Sequence, residues 1–545
     1  MSTKSNYTIT IDEGTTSTRA LMISSTGEII KTVQKEITQY YPQPGWVEHD
    51  ATEIWEKTLA CLREVTKACL EEGLMKAEEI SGIAITNQRE TTVLWNAKTG
   101  EPIHKAIVWQ CRRTSEICDQ LKKDSIKDEF GNEHSFNDYV SSKTGLIIDA
   151  YFSGTKIKWI LERCHSERSA KREVKNPVDQ SKECIGSLAN AQDDGLIFGT
   201  IDTWLIWNLT LGRSHFTDAS NASRTMLYDI HENKWDTNIL KHLNIPNSLI
   251  PEVINSNGDF GSTPLLKDML DREIPIKAVL GDQQAALYAY DNQAKATYGT
   301  GTFVMLPSTV IKNETSTDGL DCHVTSSLAM TSNERDSMSF ATEKSNNGLV
   351  KTNAYKTQSE TALAIEGSIF VGGSIIQWLR DGLKIIKESS DVETLAREVE
   401  DNGGVYLIPA LAGLGAPHWN QDVRGAIFGL TRGSSDAHIA RAALEAMAYS
   451  VMNIFETLDP ELRQNIKELN VDGGATKNNL LMQLQADLLG IPVKRYTETE
   501  MTALGVAKMT GDVELELKAE RIFKPENNLD QEYKTWKKYL NKLLD

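Results

Sequence analysis

Two short turns constrain this chain more than any other feature. Ile11-Asp12-Glu13-Gly14-Thr15-Thr16-Ser17 joins two strand-like runs near the start. Tyr298-Gly299-Thr300-Gly301-Thr302 recurs in the second half and leads into the apolar run Phe303-Val304-Met305-Leu306. Both are glycine and threonine hairpin turns, and glycine lets a backbone approach a ligand closely. The echo predicts two related α/β domains hinged over a ligand, with one turn on each side of the cleft. Length agrees, because 545 residues exceed what one compact core usually holds. The expected domains are residues 1–289 and 290–545.

Strand-like and helix-like stretches alternate along most of the chain, as α/β architecture requires. Tyr7 to Asp12 reads as a strand running into the first turn, and Arg19 to Ser24 as its returning partner. Asp50 and Glu53 form a plausible capping box. The helix that follows spaces Ile54, Leu59, Cys61, Leu62, Val65 and Cys69 on one face and stops at Gly73. Ile80 to Thr86 reads as a buried strand that delivers Asn87-Gln88-Arg89-Glu90 to its carboxyl end. Open α/β sheets bind their ligands at that end. Ser166 to Asp194 and Ser308 to Ser339 are polar and read as solvated surface excursions.

Composition narrows the function. Lys and Arg number 58 against 76 Asp and Glu, a net charge of −18. So acidic a surface repels phosphate backbones and argues against a nucleic-acid partner. Seven cysteines without a C-x-x-C pair read as reduced thiols in a cytosolic protein. Met1 to Thr10 has no apolar signal core, and no apolar run is long enough to span a membrane. The P-loop, the dinucleotide G-x-G-x-x-G, the protein-kinase H-R-D motif and zinc-ligand spacings are absent.

What remains is the chemistry of the turns and strand ends. In Asp12-Glu13-Gly14-Thr15-Thr16-Ser17-Thr18-Arg19, hydroxyls and turn N–H groups can donate to phosphate oxygens, and Arg19 adds a planar cation. Asp12 can hold Mg²⁺ through water. Val471-Asp472-Gly473-Gly474 is a bare turn with room for a flat base. Asn478 starts the helix after it and can either cap that helix or bond the base. Asp282 follows the strand Ile276 to Leu280 and is placed as a general base, ionised if its acidity is ordinary. It can equally cap the next helix. Arg89 beside Glu90 offers donors and acceptors together, which suits a small polyol. Trp109, Tyr151 and Phe303 can wall its carbon side.

These residues resemble the glycerol kinases of the FGGY carbohydrate kinase family, whose fold belongs with actin and hexokinase. The resemblance runs from Tyr7 to about Lys538. It is carried by Asp12 to Arg19, Gly82 to Thr92, Ile107 to Arg113, Tyr151 to Lys156, Asn221 to Leu227, Gly281 to Leu287, Gly425 to Leu430 and Ala443-Leu444-Glu445. It implies two actin-like, ribonuclease H-like ATPase domains flanking a cleft. It implies ATP-dependent phosphorylation of glycerol to sn-glycerol 3-phosphate, feeding glycerol catabolism and glycerolipid synthesis. By position, Arg89, Glu90, Trp109, Tyr151, Asp282, Gln283 and Phe303 would hold glycerol, with Asp282 as the base. Thr15, Thr16, Ser17, Arg19, Thr300, Gly301, Gly373, Gln377, Gly474 and Asn478 would hold ATP. Mg²⁺ would lie at Asp12 and Asp282. A cytoplasmic homo-oligomer, dimer or tetramer, with neither nucleic acid nor a membrane span, is also implied.

The chain departs from the pattern in places. Stretches near 122–140, 166–194 and 308–339 look longer than in bacterial members, and Ala289 to Lys295 looks shorter. Leu266 to Arg272 lacks the glycine turn of the bacterial fructose-bisphosphate loop. Two other functions fit the same sequence: a kinase for another small sugar or polyol, and a nucleotide-binding protein of the actin fold without catalysis.

Overall fold

The computed structural model describes residues 6–128, 130–173, 195–312, 329–330 and 347–545, the side chains of 164–173 and 329–330 excepted. Two sheets organise it. The first contains β1 (Tyr7–Glu13), β2 (Ser17–Ser24), β3 (Ile29–Glu36), β4 (Ile80–Asn87), β5 (Ser262–Thr263) and β6 (Ile274–Gly281), in the order β5-β6-β4-β1-β2-β3. β1, β4 and β6 run parallel, while β2, β3 and β5 are antiparallel to their neighbours.

The second sheet contains β7 (Lys295–Tyr298), β8 (Thr302–Lys312), β9 (Val350–Lys356), β10 (Glu360–Ile369), β11 (Leu469–Asp472), β12 (Val493–Tyr496) and β13 (Ala519–Phe523). Its order is β9-β10-β8-β7-β11-β12-β13, with Ala329–Met330 beside β8. Here β7, β11 and β12 are parallel, β8, β10 and β13 are antiparallel to their neighbours in that order, and Ala329–Met330 runs parallel to β8. Strand for strand, β3-β2-β1-β4-β6 and β10-β8-β7-β11-β12 share order and direction, so the repeated turn reflects a repeated fold.

Helix α1 (Ala51–Glu71) covers the first sheet by burying Ile54, Cys61, Leu62 and Val65 against Ile9 and Ile11. Only half of the expected capping box forms. Asp50 accepts from the N–H of Thr52 and Glu53, whereas the Glu53 carboxylate turns to Thr38 and Lys57. The stretch from Ser166 begins as the end of a helix, Ser153–Glu173, rather than as a loop, and 174–194 lie outside the described residues. Likewise β8 continues to Lys312, and most of the second polar stretch lies outside them. Cys61, Cys69, Cys111 and Cys118 are free and buried.

Between the sheets lie α2 (Asp282–Ala289), which leaves β6, and α3 (Met501–Met509). They pack on Ala84, Ala278, Leu280 and Met305. A Cβ added at Gly505 would sit 1.8 Å from the Ala285 carbonyl oxygen, so glycine is what lets the two helices touch. This contact joins the lobes beneath the cleft. Among the described residues, no helix is long and apolar enough to cross a membrane.

Candidate active site

Asp282 opens α2, directly after β6. The strand must end in Gly281, because a Cβ there would lie 2.7 Å from the Arg89 Cδ. Arg89 therefore passes over the strand end and sets its Nε 3.1 Å from Asp282 Oδ1. The Arg89 side chain is 2% exposed and that of Asp282 29%, so the carboxylate is the more open of the pair. The Gln283 N–H donates to Asp282 Oδ1 at 2.7 Å. Asp282 thus belongs to the helix start and to the cleft at once. Its acidity is not ordinary: burial raises its pKa, and Arg89 and Lys295 pull it back.

Lys295, on β7, faces Asp282 from the other lobe. Its Nζ donates to Gln283 Oε1 at 2.5 Å and to Thr297 Oγ1 at 2.7 Å. Burial lowers its pKa to about 8, against the pull of Asp472 and Asp282.

Glu90 sits at φ +60°, a left-handed backbone unusual for a non-glycine residue. Its carbonyl is pinned by three donors: Ser153 Oγ at 3.0 Å, Lys156 Nζ at 3.1 Å and Thr92 Oγ1 at 3.1 Å. Lys156 also donates to the Tyr151 carbonyl at 2.7 Å. This lysine is wholly buried, and burial lowers its pKa to about 7. Trp109 meets Tyr151 and Phe303 edge-on at 5.7 and 5.9 Å, forming the expected aromatic wall. The wall is tied to the first turn, where the Trp109 indole N–H donates to Thr15 Oγ1 at 2.9 Å.

The first turn closes with the Gly14 N–H on the Ser17 carbonyl at 3.0 Å. Thr16 is exposed, and Thr15 and Ser17 are partly so. Arg19 is not free: it pairs with Asp12 and with Glu500 of the second lobe. Thr502 Oγ1 adds a bond to Asp12 Oδ2 at 3.2 Å. Glu13 is fully buried without a hydrogen-bond partner for either oxygen, and burial raises its pKa well above the ordinary value.

The second turn is held by backbone. Gly372 N–H donates to the Thr300 carbonyl at 2.9 Å and Gly373 N–H to the Gly299 carbonyl at 2.8 Å. Gly473, at φ +93°, lies so close that a Cβ would sit 2.6 Å from the Tyr298 carbonyl oxygen. Thr300, Gly301, Gly373 and the Gly473-Gly474 turn are thereby brought together, and Gly474 faces open space. Gln377 is exposed on the helix Ser374–Asp381 that starts here. Asn478 caps the helix Asn479–Leu489, its Oδ1 accepting from the Leu481 N–H at 2.9 Å.

Sequence reasoning missed four buried ions: Lys156, Arg224, Lys295 and Glu366. Arg224 Nε donates to Glu90 Oε1 at 2.6 Å. Glu366, on β10, accepts from Arg89 Nη1 at 2.5 Å and from Arg224 Nη2 at 3.0 Å. The usable signal was a carboxylate inside the apolar run Ala362-Leu363-Ala364-Ile365-Glu366-Gly367.

Comparison with known proteins follows the same division of the chain. Models of the N-terminal and C-terminal domains of the FGGY family of carbohydrate kinases match residues 7–289 and 294–511. A glycerol kinase of Oleidesulfovibrio alaskensis is 44% identical over 511 residues, 93% of this chain and 90% of that protein. Glycerol kinase 2 of Thermotoga maritima is 42% identical, with 99% of each chain covered. Among solved structures, Plasmodium falciparum glycerol kinase with ADP superposes with a TM-score of 0.76 at 28% identity, covering 99% of each chain. A xylulose kinase of Lactobacillus acidophilus, at 17% identity and a TM-score of 0.74, shares the fold.

Proposed function

Because this chain belongs to the FGGY family of carbohydrate kinases, we propose that it transfers the γ-phosphoryl group of ATP to glycerol, giving sn-glycerol 3-phosphate. One observation carries the reading. A carboxylate, Asp282, stands open to the cleft with Arg89 Nε at 3.1 Å, beside a wall of Trp109, Tyr151 and Phe303. A three-carbon alcohol needs that combination: polar groups for its hydroxyls and aromatic faces for its carbons.

Glycerol lies between Arg89, Glu90 and Gln283, with its terminal hydroxyl toward Asp282. Asp282, whose pKa burial raises and Arg89 and Lys295 pull back, accepts the hydroxyl proton. The oxygen attacks the γ-phosphorus in line, and the bond to the β-phosphate oxygen breaks to release ADP. Arg19 and the donors of Thr15, Thr16 and Ser17 hold the phosphates from one lobe, and Thr300 and Gly301 from the other. Gly373, Gln377, Gly474 and Asn478 line the adenosine side. Arg19 also bonds Glu500 of the second lobe, which ties the first turn to the contact between lobes.

Asp12 fits Mg²⁺ chemically: it is a nearly buried carboxylate at a strand end, with only Oδ2 engaged by Arg19 and Thr502. Mg²⁺ there and at Asp282, completed by phosphates and water, would neutralise charge on the β- and γ-oxygens. Residues 1–289 thus carry the glycerol site apart from the Phe303 wall, the first turn and the base, and 290–545 the second turn and the adenosine site. We also propose a cytoplasmic homo-oligomer.

ADP release measured with and without glycerol, beside erythritol, xylulose and gluconate, tests the reading. Glycerol should give the highest kcat/KM. A preference for another polyol, or nucleotide binding without phosphorylated product, would replace it.

A further inference from the structure

Under the proposed glycerol site lies a cluster of ions whose hub comes from the opposite lobe. Glu366 is fully buried on β10. Its Oε2 accepts from Arg89 Nη1 at 2.5 Å, and its Oε1 from Arg89 Nη2 at 3.1 Å, Arg224 Nη2 at 3.0 Å and Ser368 Oγ at 2.6 Å. Burial alone would raise its pKa, but Arg224 and Arg89 bring it down to about 2, so it is a permanent anion. The grip on Arg89 is the two-point guanidinium–carboxylate fork.

A guanidinium has five N–H groups. Arg89 gives two to Glu366 and one to Gln284 Oε1 at 3.2 Å, while its Nε lies at ion-pair distance, 3.1 Å, from Asp282 Oδ1. Buried ion clusters often add little net stability, because desolvation offsets their attraction. Stability alone is therefore a weak reason for this one. Without Glu366, the carboxylates left to the two guanidiniums are Asp282 and Glu90, the groups that the reaction needs for the hydroxyls.

We infer that Glu366 is a positioning residue for the polyol: gripping two N–H groups of Arg89 from across the lobes, it fixes where that side chain points beside Asp282. This rests on the reading of the site as a glycerol site. It also makes the polyol subsite complete only when both lobes are in place.

Glu366→Gln removes the charge and the fork at nearly constant volume. Glycerol affinity by calorimetry and the KM for glycerol and for ATP are read together. The expected result is a glycerol Kd and KM raised on the order of 10- to 100-fold, as for a misplaced binding group, with the ATP KM changed by less than about threefold. If Glu366→Gln fails to fold, Ser368→Ala decides. It removes a single bond to Glu366 and should raise the glycerol KM about threefold and leave the ATP KM unchanged. Equal shifts in both KM values, or none, in a wild-type background that phosphorylates glycerol overturn the inference alone. A wild type that neither binds nor phosphorylates glycerol overturns the reading beneath it as well.

Discussion

Around the first turn the chemistry is carried by side chains. Arg19 stands between Asp12 and Glu500, the Thr15 hydroxyl takes the Trp109 indole N–H, and Glu13 lies buried behind. Around the second turn it is carried by backbone: N–H groups of Gly372 and Gly373 on carbonyls of Thr300 and Gly299, with Gly473 against Tyr298. The two turns join equivalent strands of equivalent sheets, so topology did not dictate this difference. It teaches that one fold can build the same turn in two ways, one sensitive to charge and the other to the volume of a single Cβ.

Changes to each turn should therefore fail differently. Arg19→Ala should cost most, on the order of 100-fold in kcat, because it removes the cation and leaves Asp12 and Glu500 facing each other. Steady-state kinetics at saturating ATP checks this, and a loss confined to the ATP KM would break the contrast. Gly474→Val should raise the ATP KM about tenfold, a loss of roughly 1.4 kcal/mol, with Tm unchanged, because its Cβ meets only open space in the free protein. Gly473→Ala should instead lower Tm, since its φ of +93° and the 2.6 Å approach to the Tyr298 oxygen strain any side chain. Thermal melts with and without ATP separate the two.

The smallest effect is expected at Glu13. Burial raises its pKa above 4.5, so the folded protein keeps a proton there that the unfolded chain releases. Above about pH 4.5 the folded state thus binds more protons, and this residue's contribution to stability falls as pH rises toward its folded-state pKa. Glu13→Gln escapes that loss. Its Tm relative to the wild type should climb between pH 5 and pH 8, with kcat nearly unchanged. A constant difference in Tm across that range would show Glu13 ionised in the fold.

Much of this was legible in the sequence because it is local. The two turns, the strand ends that deliver Arg89 and Asp282, and the helix stop at Gly73 are written within a few residues of where they act. The aromatic wall was readable as residue types, although its members meet only in the fold. The ion cluster was not readable, because its bonds join residues 134 and 277 positions apart. Nor was the engagement of Arg19, whose second carboxylate lies 481 positions away. Asn478 shows the limit of a local signal: the residue type fits a cap and a base contact equally, and the fold adds that its Oδ1 caps the helix.

The central claim is that the Asp282 carboxylate receives the proton of a glycerol hydroxyl between the lobes. The rate of glycerol 3-phosphate formation by Asp282→Asn, at saturating glycerol and ATP, tests it most directly. The amide keeps the shape and cannot take the proton, so the rate should fall on the order of 100- to 10,000-fold while calorimetry still detects glycerol binding. A rate near that of the wild type would contradict the account.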